Sequence, residues 1–134
     1  MLGTDVLDML VSRLRRAQMD WIQIEEAQRA VCKQFGADFL ASLPNAKIGL
    51  AISTSGQLPI NGLRHPPTVG TSGWYIWCGE SFSEAPDFFE PRCTHHFYDE
   101  RHEVVRLLGL APVWRFLLSG DYLDVWFDPT LLAV

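Results

Sequence analysis

Along the first forty residues the large apolar side chains recur at three- and four-residue steps. Val6, Leu7, Leu10, Val11 and Leu14 make one stripe, and Ile24, Ala27, Val31 and Phe35 make a second, with Glu25, Glu26, Arg29 and Lys33 outside it. Thr4 reads as an N-cap, followed by Asp5 and Asp8 in the first turn, where acidic groups complement the helix dipole. The spacing predicts one amphipathic helix from Thr4 to Gln18. A second opens on the capping-box pair Asp20 and Gln23 and runs past Gly36 to Leu40. Ser42-Leu43-Pro44-Asn45 closes it, because proline cannot continue a helix and drives its predecessor to extended geometry.

The period then falls to two. In the segment from Lys47 to Ser53 the large apolar residues share one face and Gly49 and Ala51 the other, a small-residue face that could admit a helix closely. Gly73 to Gly79 is apolar or aromatic on both faces, as a central strand covered from both sides would be. Alternation puts Trp74, Ile76 and Cys78 on one side of it and Tyr75 and Trp77 on the other, and only one set can face the main core. Val113 to Leu118 and Tyr122 to Phe127 are two more strands, joined by the hairpin signal Ser119-Gly120-Asp121. Before them Asp99 can cap a helix that uses Val104, Val105, Leu107 and Leu108, with Gly109 at its end and Pro112 beyond.

These elements predict an α+β fold: N-terminal helices packed on a mostly antiparallel sheet of about four to five strands, with one further helix before the C-terminal hairpin. We read 1–134 as a single domain, 1–20 being an N-terminal helical extension of a 21–131 α+β unit. Between Ser53 and Ser72 no periodicity is evident, and Gly56, Gly62, Gly70, Pro59, Pro66 and Pro67 interrupt the segment. Loops of that length are usually functional or mobile; alternatively Leu58, Ile60 and Leu63 pin it to the core as a short strand and turn.

Composition narrows the function classes. The 134 residues are 48% apolar and 20% charged, which excludes a disordered chain or a coiled coil and is enough for a real core. Apolar runs are far shorter than the roughly twenty residues needed to cross a bilayer, and the first residues lack a basic leader, so a cytoplasmic location is expected. A net charge of -5 opposes the phosphate attraction on which nucleic-acid binding depends. Residues 46–134 hold six Lys/Arg and ten Asp/Glu, so the acidic surface belongs to that part. Cys32, Cys78 and Cys93, odd in number and widely spaced, suit buried thiols better than a disulfide framework.

No catalytic motif is complete. His102-Glu103-Val104-Val105-Arg106 approaches the zinc-protease helix but ends on a permanent cation that cannot be a ligand. Cys93, His95, His96 and His102 lack structural-zinc spacing, and no metal or cofactor is expected. The hydroxyl and glycine runs at Ser53–Gly56 and Gly70–Gly73 fit neither a nucleophile elbow nor a phosphate loop. Arg64-His65, fixed before Pro66-Pro67, could present a cation to a carboxylate or phosphate, or Arg64 could pair internally with Glu80 or another loop acid. Glu80, Glu84, Asp87 and Glu90 form an acidic run with no base between, and Asp121, Asp124 and Asp128 add to it. Such a face would suit a basic partner. Of the tryptophans, Trp74, Trp77, Trp114 and Trp126 fall on predicted strands, mostly as core, with one or two available as interface anchors.

Several segments together resemble a known family. They are Ala27 to Cys32 with Phe35-Gly36, Asn61-Gly62-Leu63-Arg64-His65-Pro66-Pro67, Thr71-Ser72-Gly73-Trp74-Tyr75-Ile76-Trp77 with Gly79-Glu80, Asp87-Phe88-Phe89 with Pro91, Leu107 to Leu110 with Pro112, Arg115-Phe116, and Asp124 to Asp128. The series, over about residues 21–131, resembles the polymorphic-toxin immunity proteins of the thirty-third named family, once a domain of unknown function. Where that pattern has a proline and a glycine near the last hairpin, this chain has Ala111-Pro112-Val113-Trp114. The resemblance implies an α+β protein that binds a cognate bacterial toxin and blocks it in the producing cell, without catalysis. It supplies no contact residues. The candidates for partner binding are therefore Asn61, Arg64, His65, Trp74, Glu80, Glu84 and Asp87, with no catalytic residue. The partner expected is a protein toxin, basic on the electrostatic argument, with neither nucleic acid nor membrane involved. The rival is a small ligand-binding or enzymatic domain with a pocket under the 53–72 loop, Arg64 holding an anion and His65 or Glu80 moving a proton. The helix from Thr4 to Gln18 could also form a homodimer.

Overall fold

The computed structural model describes residues 2–100 and 102–133, with side-chain surroundings for all of these but 2–4, 16–19 and 133. The N-terminal region is one helix, α1 (Leu2–Phe35), where the sequence suggested two. Neither glycine nor proline interrupts residues 4–35, so Asp20 and Gln23 lie within a helix that nothing stops. Thr4 is inside the helix, not before it, and its side chain lies outside the described residues. The end is set by Gly36, whose φ of 73° lets the Ala37 N–H return to the Cys32 carbonyl at 2.9 Å. The helix therefore stops short of the expected Leu40, and Phe39 instead bridges to Leu110.

Six strands form one sheet: β1 (Lys47–Leu50), β2 (Ile60–Arg64), β3 (Thr71–Cys78), β4 (Glu90–Cys93), β5 (Trp114–Ser119) and β6 (Tyr122–Phe127). Their order is β4-β1-β3-β2-β5-β6, antiparallel throughout except for the β1–β3 pair. One strand, β4, lies outside the expected elements. β2 realises the strand-and-turn alternative for the 53–72 segment, and β4 reads Glu-Pro-Arg-Cys, whose proline is tolerated because the strand is at the sheet edge. The predicted last hairpin is present, with Ser119 paired to Tyr122 around Gly120-Asp121.

The helix before that hairpin is α2 (His95–Glu100), followed by a 3-10 turn over Glu103–Leu107. Asp99 lies within α2 instead of capping it. The cap of the 3-10 turn is His102, whose Nδ1 accepts from the Val104 N–H at 3.2 Å. Val104, Leu107, Leu108 and Leu110 from this segment, Val31 and Cys32 from α1, and Ile48, Trp74, Ile76, Phe116 and Leu118 from the sheet make one continuous core. Trp74, Ile76 and Cys78 thus take the main-core side of β3, leaving Tyr75 and Trp77 on the opposite face. On the core side Gly62 is required: a Cβ there would fall 2.1 Å from the Phe116 ring that crosses it. Gly49 admits no helix. Its open face is filled by the Tyr75 ring, 2.7 Å from where a Cβ would be.

Candidate functional site

Two of the expected contact residues are interior staples. Arg64 is 1% exposed and Trp74 is 1% exposed, so neither side chain reaches a partner. The Arg64 guanidinium donates to five backbone oxygens: Nε to Ser72 at 2.8 Å, Nη1 to Leu40 and Leu110 at 2.7 Å and to Leu108 at 3.4 Å, and Nη2 to Ala41 at 3.3 Å. Among the described residues no carboxylate pairs with it, and the expected pairing with Glu80 does not form, since Glu80 is exposed in the loop after β3. Burial lowers its pKa from the ordinary arginine value to about 10, which still leaves a cation at neutral pH, held by carbonyl dipoles and lying 5.5 Å from the centre of the Trp74 ring. Trp74 Nε1 donates to Ser42 Oγ and to the Leu108 carbonyl, each at 3.0 Å. Together the two side chains fasten β2 and β3 to the chain at 40–42 and 108–110.

The other five lie on or beside the sheet face turned away from α1. Asn61 Nδ2 donates to the Gly79 carbonyl at 2.9 Å and to Pro59 at 3.3 Å, so it fixes the root of the 79–90 loop. Gly79, at φ 86°, returns its N–H to the Pro59 carbonyl at 2.8 Å, and a Cβ would strike Gln57. His65, half-buried, lies with Nδ1 3.3 Å from the Leu131 carbonyl and meets Tyr75 edge to face at 5.5 Å. From Tyr75 a chain of aromatic contacts runs to Phe89 at 5.2 Å and on to Phe88 at 4.9 Å and Trp77 at 6.2 Å, with Phe82 against Trp77 at 5.2 Å. These edge-to-face contacts tie the loop to the sheet. At the surface of this cluster Phe82 is 53% exposed and Tyr75 37%. Glu80, Glu84 and Asp87, carried on the same loop, are exposed and, among the described residues, have no basic partner.

A cavity of about 650 Å³ opens on the other face, between the end of β1 and α2. Leu50, Ile60, Ile76 and Phe97 form its floor, and Arg92, His96, Glu100 and Glu103 stand at its mouth. Ser55 to Leu58 border it, so part of the 53–72 segment does cover a hollow. Arg64, His65 and Glu80 are elsewhere, however, and the anion holder and proton carrier of the ligand-binding reading do not converge there. Cys78 lines the cavity with its thiol pKa pushed up by burial, the opposite of an activated nucleophile. His95 and His96 stack at 4.3 Å while His102 caps the 3-10 turn, and no group of three or more potential metal ligands exists among the described residues.

The aromatic cluster was missed by residue-level reasoning. Its signal was three phenylalanines, Phe82, Phe88 and Phe89, in an otherwise polar and acidic stretch, where a solvated loop has no use for them. A family model described as Imm33-like domain matches residues 27–128, well over half of the chain. No curated protein and no solved structure matches. No helix among the described residues is long and apolar enough to cross a membrane.

Proposed function

The chain belongs to the Imm33-like domain family, and on that premise we propose that it is an immunity-type protein that binds and neutralises a cognate bacterial toxin in the cytoplasm of the producing cell. Its action would be stoichiometric binding, without catalysis. The contact surface is the sheet face opposite α1, with Phe82 and Tyr75 at its centre and Glu80, Glu84 and Asp87 around them. The observation that carries this reading is the segment after β3: it joins exposed aromatic area to three exposed carboxylates that have no basic partner among the described residues, and it is tied to the sheet by Asn61 and the aromatic contacts. Aromatic anchors within a polar rim are the usual anatomy of a protein interface, and rim charges of one sign steer an oppositely charged partner. The partner is therefore a toxin with a basic face.

The test is expression of each neighbouring reading frame in a sensitive host with and without this protein. Rescue from one toxic neighbour, with co-purification of the two chains, is the expected result. Absence of a toxic neighbour and of any co-purifying chain would contradict the proposal.

A small-ligand site is a second reading favoured by one observation, the 650 Å³ cavity with its apolar floor and mixed-charge mouth. A metabolite that raises the melting temperature of the wild type but not of an Ile76→Trp variant, which fills the floor, would support it.

A further inference from the structure

The side chains of residues 5–15 of α1 stand outside the core of the subunit. Every side chain from Asp5 to Arg15 is exposed, among them Val6, Leu7, Leu10, Val11 and Leu14, with Leu14 68% exposed. All lie outside the 27–128 segment that defines the family. A lone amphipathic helix of this length is marginal in water, and one whose apolar stripe meets only solvent gains nothing from its own pattern.

We infer that this stripe is a homodimer interface, filled by the same helix of a second copy running antiparallel. The charge order selects that occupant and that direction. Asp5 and Asp8 lie toward the start of the segment and Arg13 and Arg15 toward its end. A parallel pair would place acid beside acid and base beside base, whereas an antiparallel pair brings opposite charges together at both ends. Asp8 and Arg15 are seven residues apart, two helical turns, and so share one flank of the stripe. Setting Leu10 of one copy beside Leu14 of the other puts Asp8 within a residue of Arg15 of the second copy. The two-fold axis repeats the pair, and an isologous interface of this kind closes on itself without further growth. The macrodipoles of the two helices also run oppositely. This inference does not depend on the toxin-binding proposal, which uses the 79–90 loop on another part of the chain.

Sedimentation velocity of the full chain across a hundredfold range of concentration tests it. A monomer–dimer equilibrium is expected, abolished in Leu10→Asp/Leu14→Asp with the near-ultraviolet signal of the tryptophan-rich core retained. Asp8→Arg and Arg15→Asp should each weaken the dimer about tenfold. An equimolar mixture of the two variants should recover it, since one copy then carries two bases and the other two acids. The double variant Asp8→Arg/Arg15→Asp should recover it too, and this second rescue is specific to an antiparallel pair, because a parallel one would set the two introduced arginines against each other and likewise the two introduced aspartates. A chain that stays monomeric throughout, or a dimer indifferent to the leucine changes, overturns the proposal. So does a helix that instead binds anionic lipid vesicles or the toxin while the protein remains a monomer. A dimer disrupted by the leucines but not rescued by the charge exchange overturns the antiparallel arrangement.

Discussion

Arg64 Nη1 stands 2.7 Å from the carbonyl oxygen of Leu110, and among the described residues every hydrogen bond of this cation goes to a backbone oxygen. The side chain ties the end of β2 to two segments distant in sequence, and its removal would leave several buried carbonyls without donors. Arg64→Met is expected to cost about 3–5 kcal/mol of unfolding free energy. Arg64→Lys should cost nearly as much, because an ammonium cannot span the fork of oxygens. Urea denaturation of both variants checks this. A loss under about 1 kcal/mol for either would mean that the carbonyls are satisfied otherwise.

Val113 occupies the third position of a turn in which the Trp114 N–H returns to the Ala111 carbonyl at 3.3 Å. Pro112 precedes it and its own φ is 78°, the arrangement of a type II turn that favours glycine at this place. A β-branched residue there carries about 1–2 kcal/mol of backbone strain. Val113→Gly should therefore be milder than Val104→Gly by about that amount, both valines being buried. Equal losses in thermal unfolding would show that no strain is released.

Gly62→Ala places a methyl against the Phe116 ring, which cannot move away inside a packed core. About 1–3 kcal/mol should be lost. Added to this variant, Phe116→Leu should cost less than it does in the wild type, since the two changes share one volume. Strict additivity in denaturation curves would contradict the packing described.

Asp128 accepts hydrogen bonds from the Thr130 hydroxyl and from Arg115, which hold its carboxyl below the usual carboxylate value. A depressed acid contributes stability that is fully present above the unfolded-state pKa and is lost as pH falls through the folded value. The Asp128 carboxyl carbon in an NMR titration should therefore show a midpoint below 3.8, with loosening of the Pro129–Ala133 turn over the same acidic range. A midpoint at or above 3.8 would contradict the geometry.

The parts of the fold legible in the sequence were those with long-lived periodicity or explicit turn chemistry. The stripes of α1, the alternation in β3 and the Gly120-Asp121 hairpin all read correctly because each is decided by neighbours along the chain. The division of α1 at Asp20 was misread because a capping pair also occurs inside continuous helices, and no glycine or proline accompanies this one before Gly36. β4 was not legible since its Glu-Pro-Arg-Cys owes its strand geometry to β1 beside it. Of the site, the acidic run was visible and exposed. Arg64 misled: an arginine between glycine and proline signals a surface cation, and its burial depends on carbonyls at 40–42 and 108–110 that no local pattern announces.

The acidic, aromatic-centred loop after β3 is the proposed toxin contact. The most direct measurement is the association rate of the purified toxin with wild type and with Glu80→Lys/Glu84→Lys/Asp87→Lys, over a series of salt concentrations. The three substituted side chains are exposed, so folding should be unchanged. The wild-type rate should fall steeply with salt, and the variant should associate at least about tenfold more slowly at low salt with little salt dependence. Equal rates and equal salt slopes for the two proteins would contradict the assignment of this face.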